Sequence, residues 1–209
     1  MKVYIEDYAL NCALGSSKEE VALNLFNSNA KGKTKEFRLV DNQKSPRFIV
    51  EGELPQIPEG LEKFNSRNNQ LVLKALNEMK ESVEKVLAKV GTKRLGVILG
   101  TSTSGIAEGI TALKNLDGEK LPESYDYRLQ EIGSPSEFVK AYLGLESVAY
   151  TISTACSSSA RSFIEARTLL EVGMCDAVIV GGADSLNELT LNGFHCLEAL
   201  STEHTNPMS

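Results

Sequence analysis

The sequence predicts an α/β fold, on three observations. Short apolar runs without polar alternation, such as Leu95-Gly-Val-Ile-Leu-Gly100, suit parallel strands covered on both faces. Residues 65–90 carry Leu71, Ala75, Met79, Val83, Val86 and Val90 at helical spacing. Strand-like and helix-like segments also alternate along the chain, as layered α/β domains require.

In order, residues 3–10 read as a first strand. Ser16 or Ser17 then caps a helix, with Glu19 and Glu20 in its first turn and Val21, Leu23, Leu25 and Phe26 as packing positions. Residues 31–47 read as a basic, polar connector. The run from Phe48 is ambiguous, with an edge strand before Pro55 and Pro58 as one reading. The spacing predicts one long helix over 65–90, ended by Gly91, and then the buried strand 95–100. Thr101-Ser-Thr-Ser-Gly105 turns into a helix over 106–116, and 117–133 reads as a surface excursion. Ser134-Pro135 opens the next helix, where Pro suits the first turn, and Gly144 closes it. A strand over 148–152 leads to a helix reaching about 172, stopped by Gly173. Ala177-Val-Ile-Val180 is a second buried strand, ending in Gly181-Gly-Ala-Asp184, and a last helix spans 186–200. No linker-like stretch divides the 209 residues into independent domains.

Composition is that of an ordinary globular protein, 42% hydrophobic and 24% charged, long enough for a substantial core. The N-terminus lacks the apolar core of a signal peptide, and no run approaches transmembrane length. The formal charge of −6 argues against general nucleic-acid binding. Four cysteines without a CxxC pair fit reduced cytoplasmic thiols rather than a disulfide frame or a metal site.

Cys156 stands out among them. Thr154-Ala-Cys-Ser-Ser-Ser159 places it on a tight strand-to-helix turn. There the free N–H groups and positive dipole end of a helix favour a thiolate and can bind a developing oxyanion. Small neighbours leave room for a substrate. Cys175 and Cys196 read as packing residues, and Cys12 is uninformative. His195 and His204 are the only histidines. His195 reads as a helix-surface or core residue and His204 lies in a polar tail, with a Cys–His pairing between distant positions as a lesser alternative. Gly100 to Gly105 departs from the dinucleotide-binding spacing, and Gly181-Gly182 reads as a close-packing turn.

Five blocks in order resemble the β-ketoacyl-[acyl-carrier-protein] synthases, condensing enzymes of the thiolase superfamily. They are Leu14-Gly-Ser-Ser-Lys-Glu-Glu20, Gly100-Thr-Ser-Thr-Ser-Gly105, Thr154-Ala-Cys-Ser-Ser-Ser159, Gly181-Gly-Ala-Asp184 and Gly193-Phe-His-Cys-Leu-Glu-Ala-Leu-Ser201. The resemblance implies a thiolase-like fold with a mixed, mostly parallel sheet. Residues 1–209 would form the N-terminal half of a duplicated five-layer structure. It implies acyl transfer from the phosphopantetheine of an acyl carrier protein to Cys156, followed by decarboxylative Claisen condensation with malonyl-carrier protein. The pathway would be fatty acid or polyketide-type synthesis, with no bound cofactor or metal.

By the same resemblance Thr103 and Phe194 line the acyl pocket. Lys63 and Arg67 are either contacts for the acidic carrier protein or solvated helix-face charges. The expected partners are acyl carrier protein and a second synthase subunit, identical or related, paired through the strand at 148–152. The family's active-site histidines, lysine and second oxyanion loop belong to the C-terminal half. The chain is therefore expected to be a truncated form that keeps the thiol without completing condensation. The alternative is a non-catalytic dimerisation or chain-length partner, a class that typically lacks the cysteine.

Overall fold

The computed structural model describes residues 2–27, 31–123 and 125–203. In chain order the elements are α1 (Lys18–Leu25), β1 (Thr34–Arg38), β2 (Lys44–Phe48), α2 (Arg67–Glu78), α3 (Lys80–Val90) and β3 (Leu95–Gly100). They continue with α4 (Ile106–Lys114), α5 (Ser134–Tyr142), β4 (Ala149–Ile152), α6 (Ser158–Glu171), β5 (Ala177–Gly182) and α7 (Glu188–Cys196). Contacts divide the chain into two compact units, one of residues 1–8 with 54–185 and one of 9–53 with 186–209. No Gly/Ser-rich linker marks the crossings, so composition carried no sign of this division.

The larger unit is built on a parallel sheet of order β4-β3-β5. Every residue of the central β3 is buried, which explains its unalternated apolar sequence. Its side chains still divide by face. Leu95, Val97 and Leu99 join Phe64, Val72, Leu73, Leu76, Phe138, Val139 and Leu145 in one core, towards α2 and α5. Ile98 joins Ala166, Leu169 and Cys175 in a second core beneath α6. Within the first core Phe138 packs tilted on Phe64 with ring centroids 5.9 Å apart. Cys175 is only 2% exposed, as its packing role required.

The long helix expected over 65–90 is two helices meeting at Met79, whose N–H is shared between Ala75 and Leu76 carbonyls. Apolar periodicity continues across the break, so spacing alone could not reveal it. Gly91 and Gly144 do end their helices, at φ 79° and 63°. The excursion at 117–133 is mostly exposed, although Leu129 is buried within a short 3-10 turn. The strand expected at 3–10 is corrected: no described strand pairs with it, and Tyr4 (79%) and Ile5 (75%) are exposed. Apolar content there is not matched by a ladder, and a strand needs both.

In the smaller unit Ser17 caps α1, accepting the Glu20 N–H at 3.2 Å, while Glu20 accepts the Ser16 N–H at 2.9 Å. The second bond reaches one residue before the cap, so the pair resembles a capping box without closing it on Ser17. Of the four expected packing positions only Val21 is buried; Leu23, Leu25 and Phe26 are exposed. The connector expected at 31–47 is instead the antiparallel hairpin β1–β2, with Thr34 opposite Phe48 and Arg38 opposite Lys44. Its strands are largely exposed and their partners are charged, for example Lys44 on Glu36 at 3.1 Å, so the usual apolar alternation is missing. The last helix is shorter than expected: Asn187 caps it by accepting the Thr190 N–H at 2.9 Å. Among the described residues no helix is long and apolar enough to cross a membrane.

Candidate active site

β4 ends at Ile152, and after Ser153 and Thr154 the chain makes a 3-10 turn over Ala155–Ser157 that runs into α6. Cys156 lies in this turn and is exposed. Ala155 takes a left-handed backbone conformation at φ 51°, which costs a residue with a Cβ about 1–2 kcal/mol. Local serines offset that strain. Ser158 Oγ donates to the Ala155 carbonyl at 2.7 Å and accepts the Thr154 N–H at 2.9 Å. Ser157 Oγ donates to the Thr154 carbonyl at 2.8 Å. The serine run that marked the motif in sequence is thus the scaffold of the turn.

The floor beneath the turn is made of glycines. Gly100 and Gly182 face each other across β3 and β5. A Cβ on Gly100 would lie 2.5 Å from the Ser158 carbonyl carbon, and one on Gly182 would lie 2.0 Å from Ser159 Oγ. Absence of side chains lets the first turn of α6 rest directly on the sheet. Ser162 Oγ holds it there by donating to the Gly181 carbonyl at 2.9 Å. The expected close-packing role of this glycine pair therefore falls on Gly182, since nothing lies within 4 Å of a Cβ at Gly181.

Beside the turn, the 101–105 loop is organised around one carboxylate. Asp184 Oδ1 accepts from Thr101 Oγ1 at 3.1 Å, from the Ser102 N–H at 2.8 Å and from Thr103 Oγ1 at 2.9 Å. Thr103 Oγ1 in turn accepts the Ser185 N–H at 3.0 Å. Ser102 Oγ reaches the Ala155 carbonyl at 3.3 Å, linking this loop to the residue before Cys156. No local pattern in the sequence assigns a role to Ser102 or Asp184. The available signal is an acidic residue two positions beyond β5, at the sheet end where α/β proteins gather their functional groups.

The other residues singled out from sequence stand as follows. Thr103 is buried, with its hydroxyl engaged by Asp184 and Ser185. Phe194 lies on α7 in the smaller unit, 46% exposed. Lys63 is exposed with Nζ 5.0 Å from the Phe64 ring centroid, and Arg67 opens α2, its N–H donating to Glu108 at 2.7 Å. Cys196, expected to pack, is exposed, because its position on α7 faces away from that helix's one buried residue, Leu191. His195 Nε2 pairs with Asp41 Oδ2 at 2.8 Å, an acidic partner 154 positions away in sequence. The Gln43 N–H and His195 both hold the Asp41 carboxyl below its usual range. His204 lies outside the described residues. Among the described residues no group of three His, Cys, Asp or Glu side chains is arranged to hold a metal ion.

An exposed thiol on a strained turn at the start of a 14-residue helix is placed where a nucleophile can meet a substrate. The chain is 27% identical over 135 residues to 3-oxoacyl-[acyl-carrier-protein] synthase 1 of Buchnera aphidicola, covering 61% of this chain and 33% of that protein. It is 29% identical over 128 residues to the chloroplastic 3-oxoacyl-[acyl-carrier-protein] synthase I of Arabidopsis thaliana, covering 59% and 27%. Among solved structures, it matches a chain of the ketosynthase ApeO in complex with its chain length factor ApeC from Xenorhabdus doucetiae. That match has a TM-score of 0.86 at 42% identity and covers 96% of this chain and 51% of the other. The chain thus spans about a third of the curated relatives it matches and about half of that solved chain. The fold is that of the thiolase-like ketosynthases. The family model described as beta-ketoacyl synthase, N-terminal domain, matches residues 27–209, and the chain belongs to that family.

Proposed function

We propose that this chain is the nucleophile-bearing half of a 3-oxoacyl-[acyl-carrier-protein] synthase. Cys156 Sγ attacks the acyl thioester carried on phosphopantetheine. The tetrahedral oxyanion is held at the Cys156 N–H, and the carrier thiol leaves with a proton as the acyl-Cys156 thioester forms. In the second step malonyl-carrier protein loses carbon dioxide. Its carbanion attacks the acyl carbon, a carbon–carbon bond forms, and the Cys156 thiolate is released. The family resemblance assigns decarboxylation to groups of the C-terminal half, so the first step is the one proposed for the described residues. The supporting observation is the exposed Cys156 on its serine-braced turn.

Acyl carrier protein is the proposed partner, with Lys63 and Arg67 as contacts and Thr103 and Phe194 as acyl-pocket residues. A second synthase subunit, identical or related, is proposed to pair along β4, which stands at the edge of the sheet. The proposed location is the cytoplasm, where the thiol stays reduced. Matching structures that contain a ketosynthase with a chain length factor give weight to a second reading, a non-catalytic chain-length partner. Cys156 favours the catalytic one.

The test is peptide-resolved mass spectrometry after incubation with an acyl-carrier protein or an epoxide inhibitor of condensing enzymes. Acylation at Cys156, lost in Cys156→Ser, supports the reading. Cys196 is also exposed and serves as the internal control. Equal labelling of Cys156 and Cys196 would overturn it.

A further inference from the structure

We infer that Ser102 and Asp184 are positioning residues for the oxyanion donor, acting through the peptide bond between Ala155 and Cys156. This rests on the proposed role of Cys156 as acyl acceptor. The peptide group is planar, and none among the described residues is cis. In a trans peptide the carbonyl and N–H point in opposite directions. Whatever fixes the Ala155 carbonyl therefore also aims the Cys156 N–H.

The Ser158 N–H closes the 3-10 turn on that carbonyl, and two hydroxyls from different parts of the fold also hold it. Ser158 Oγ donates to it from inside α6 at 2.7 Å, and Ser102 Oγ donates from the loop after β3 at 3.3 Å. Only the second depends on residues distant in sequence. Ser102 is itself held by its N–H, which donates to Asp184 Oδ1 at 2.8 Å. The same oxygen takes the hydroxyls of Thr101 and Thr103, so the loop cannot turn without breaking several bonds to one carboxylate. Ala155 is left-handed, a conformation that a residue with a Cβ leaves readily unless its surroundings hold it. The chain of contacts thus runs from the end of β5 through Asp184 and Ser102 to Ala155, and ends on the N–H that faces the reacting carbonyl.

The experiment separates oxyanion stabilisation from thiol reactivity. Transfer of an acyl group from an acyl N-acetylcysteamine thioester to Cys156 passes through an oxyanion. Alkylation by iodoacetamide, a displacement at a saturated carbon, does not. Both rates are read at Cys156 by mass spectrometry on the 209-residue chain. Ser102→Ala and Asp184→Ala are expected to slow acyl transfer about ten-fold, less than the hundred-fold or more for outright loss of a donor. Iodoacetamide alkylation should stay within about two-fold. Ser102→Thr keeps the hydroxyl and Asp184→Asn keeps an acceptor oxygen, so both should restore most of the acyl-transfer rate.

The inference is overturned if the two rates fall together in the alanine variants, which would mean general disorder of the turn. It is also overturned if acyl transfer does not fall. Failure of the wild-type chain to acylate Cys156 while it is still alkylated there would instead refute the acyl-acceptor reading itself.

Discussion

Replacing Gly100 by Ala tests whether the glycine floor sets the position of the nucleophile turn. The new Cβ would lie 2.5 Å from the Ser158 carbonyl carbon, 2.6 Å from the Ser159 nitrogen and 2.7 Å from the Ser158 oxygen. Ordinary contact begins at 3.4 Å, so relief needs a shift of about 0.9 Å. The opposing atoms are all backbone at the start of α6, so no side-chain rotation can supply it. Overpacking of this kind costs about 1–3 kcal/mol, and the rigid partners place Gly100→Ala at the upper end. For a chain of this size that corresponds to a fall in Tm of about 6–12 °C.

Gly181→Ala is the matched control, because nothing lies within 4 Å of its Cβ. Its stability should change by no more than about 0.5 kcal/mol. Urea unfolding of the two variants gives the stability difference, and iodoacetamide labelling of Cys156 reports displacement of the turn. Equal stability of Gly100→Ala and Gly181→Ala, with unchanged labelling, would refute the reasoning.

Asn69 is fully buried, and its Nδ2 donates to the Phe64 carbonyl at 2.9 Å and to Ser134 Oγ at 3.1 Å. Asn69→Ala takes the donor from Ser134 Oγ, while the Phe64 carbonyl keeps the Ser66 N–H at 2.8 Å, and should lower the unfolding free energy by about 1–3 kcal/mol in urea titration. Arg128 holds the Asp126 carboxyl at about 2 against its usual 3.8, through side-chain and backbone N–H donors. Its folded pKa is depressed, so its contribution to stability is complete above 3.8 and is lost as pH falls from there through about 2. Asp126→Asn should flatten stability across that window, as measured by acid unfolding. Cys175, buried against Ser147, should resist thiol reagents until the larger unit unfolds, while Cys156 and Cys196 react in the native state. Early labelling of Cys175 in a timed alkylation series would show that the core beneath α6 opens locally.

Where local chemistry sufficed, the sequence was a good guide. The unalternated run of β3, the Ser17 cap, the glycine stops at Gly91 and Gly144, and the thiol at the start of α6 each depend on neighbours within a few residues. The β1–β2 hairpin escaped because its exposed, charged strands bury too little to show a period of two. The segment at 3–10 failed in the opposite sense: its apolar residues suggested a strand, but a strand exists only if a partner offers its backbone. The break at Met79 was hidden because the apolar stripe runs through it.

By itself, then, the sequence determined the α/β class, the buried central strand β3 and the placing of Cys156 on a strand-to-helix turn. Each follows from composition, local spacing or a short motif. The second strand expected to be buried, β5, is only half-buried. Tertiary structure alone decided that Gly100 and Gly182 form a floor for α6, and that Asp184 governs the 101–103 loop. It alone brought Ser102 to the Ala155 carbonyl across 53 positions and paired His195 with Asp41 across 154. Such contacts form where strand ends and helix starts converge, and no local pattern in the chain encodes which distant residues will meet there.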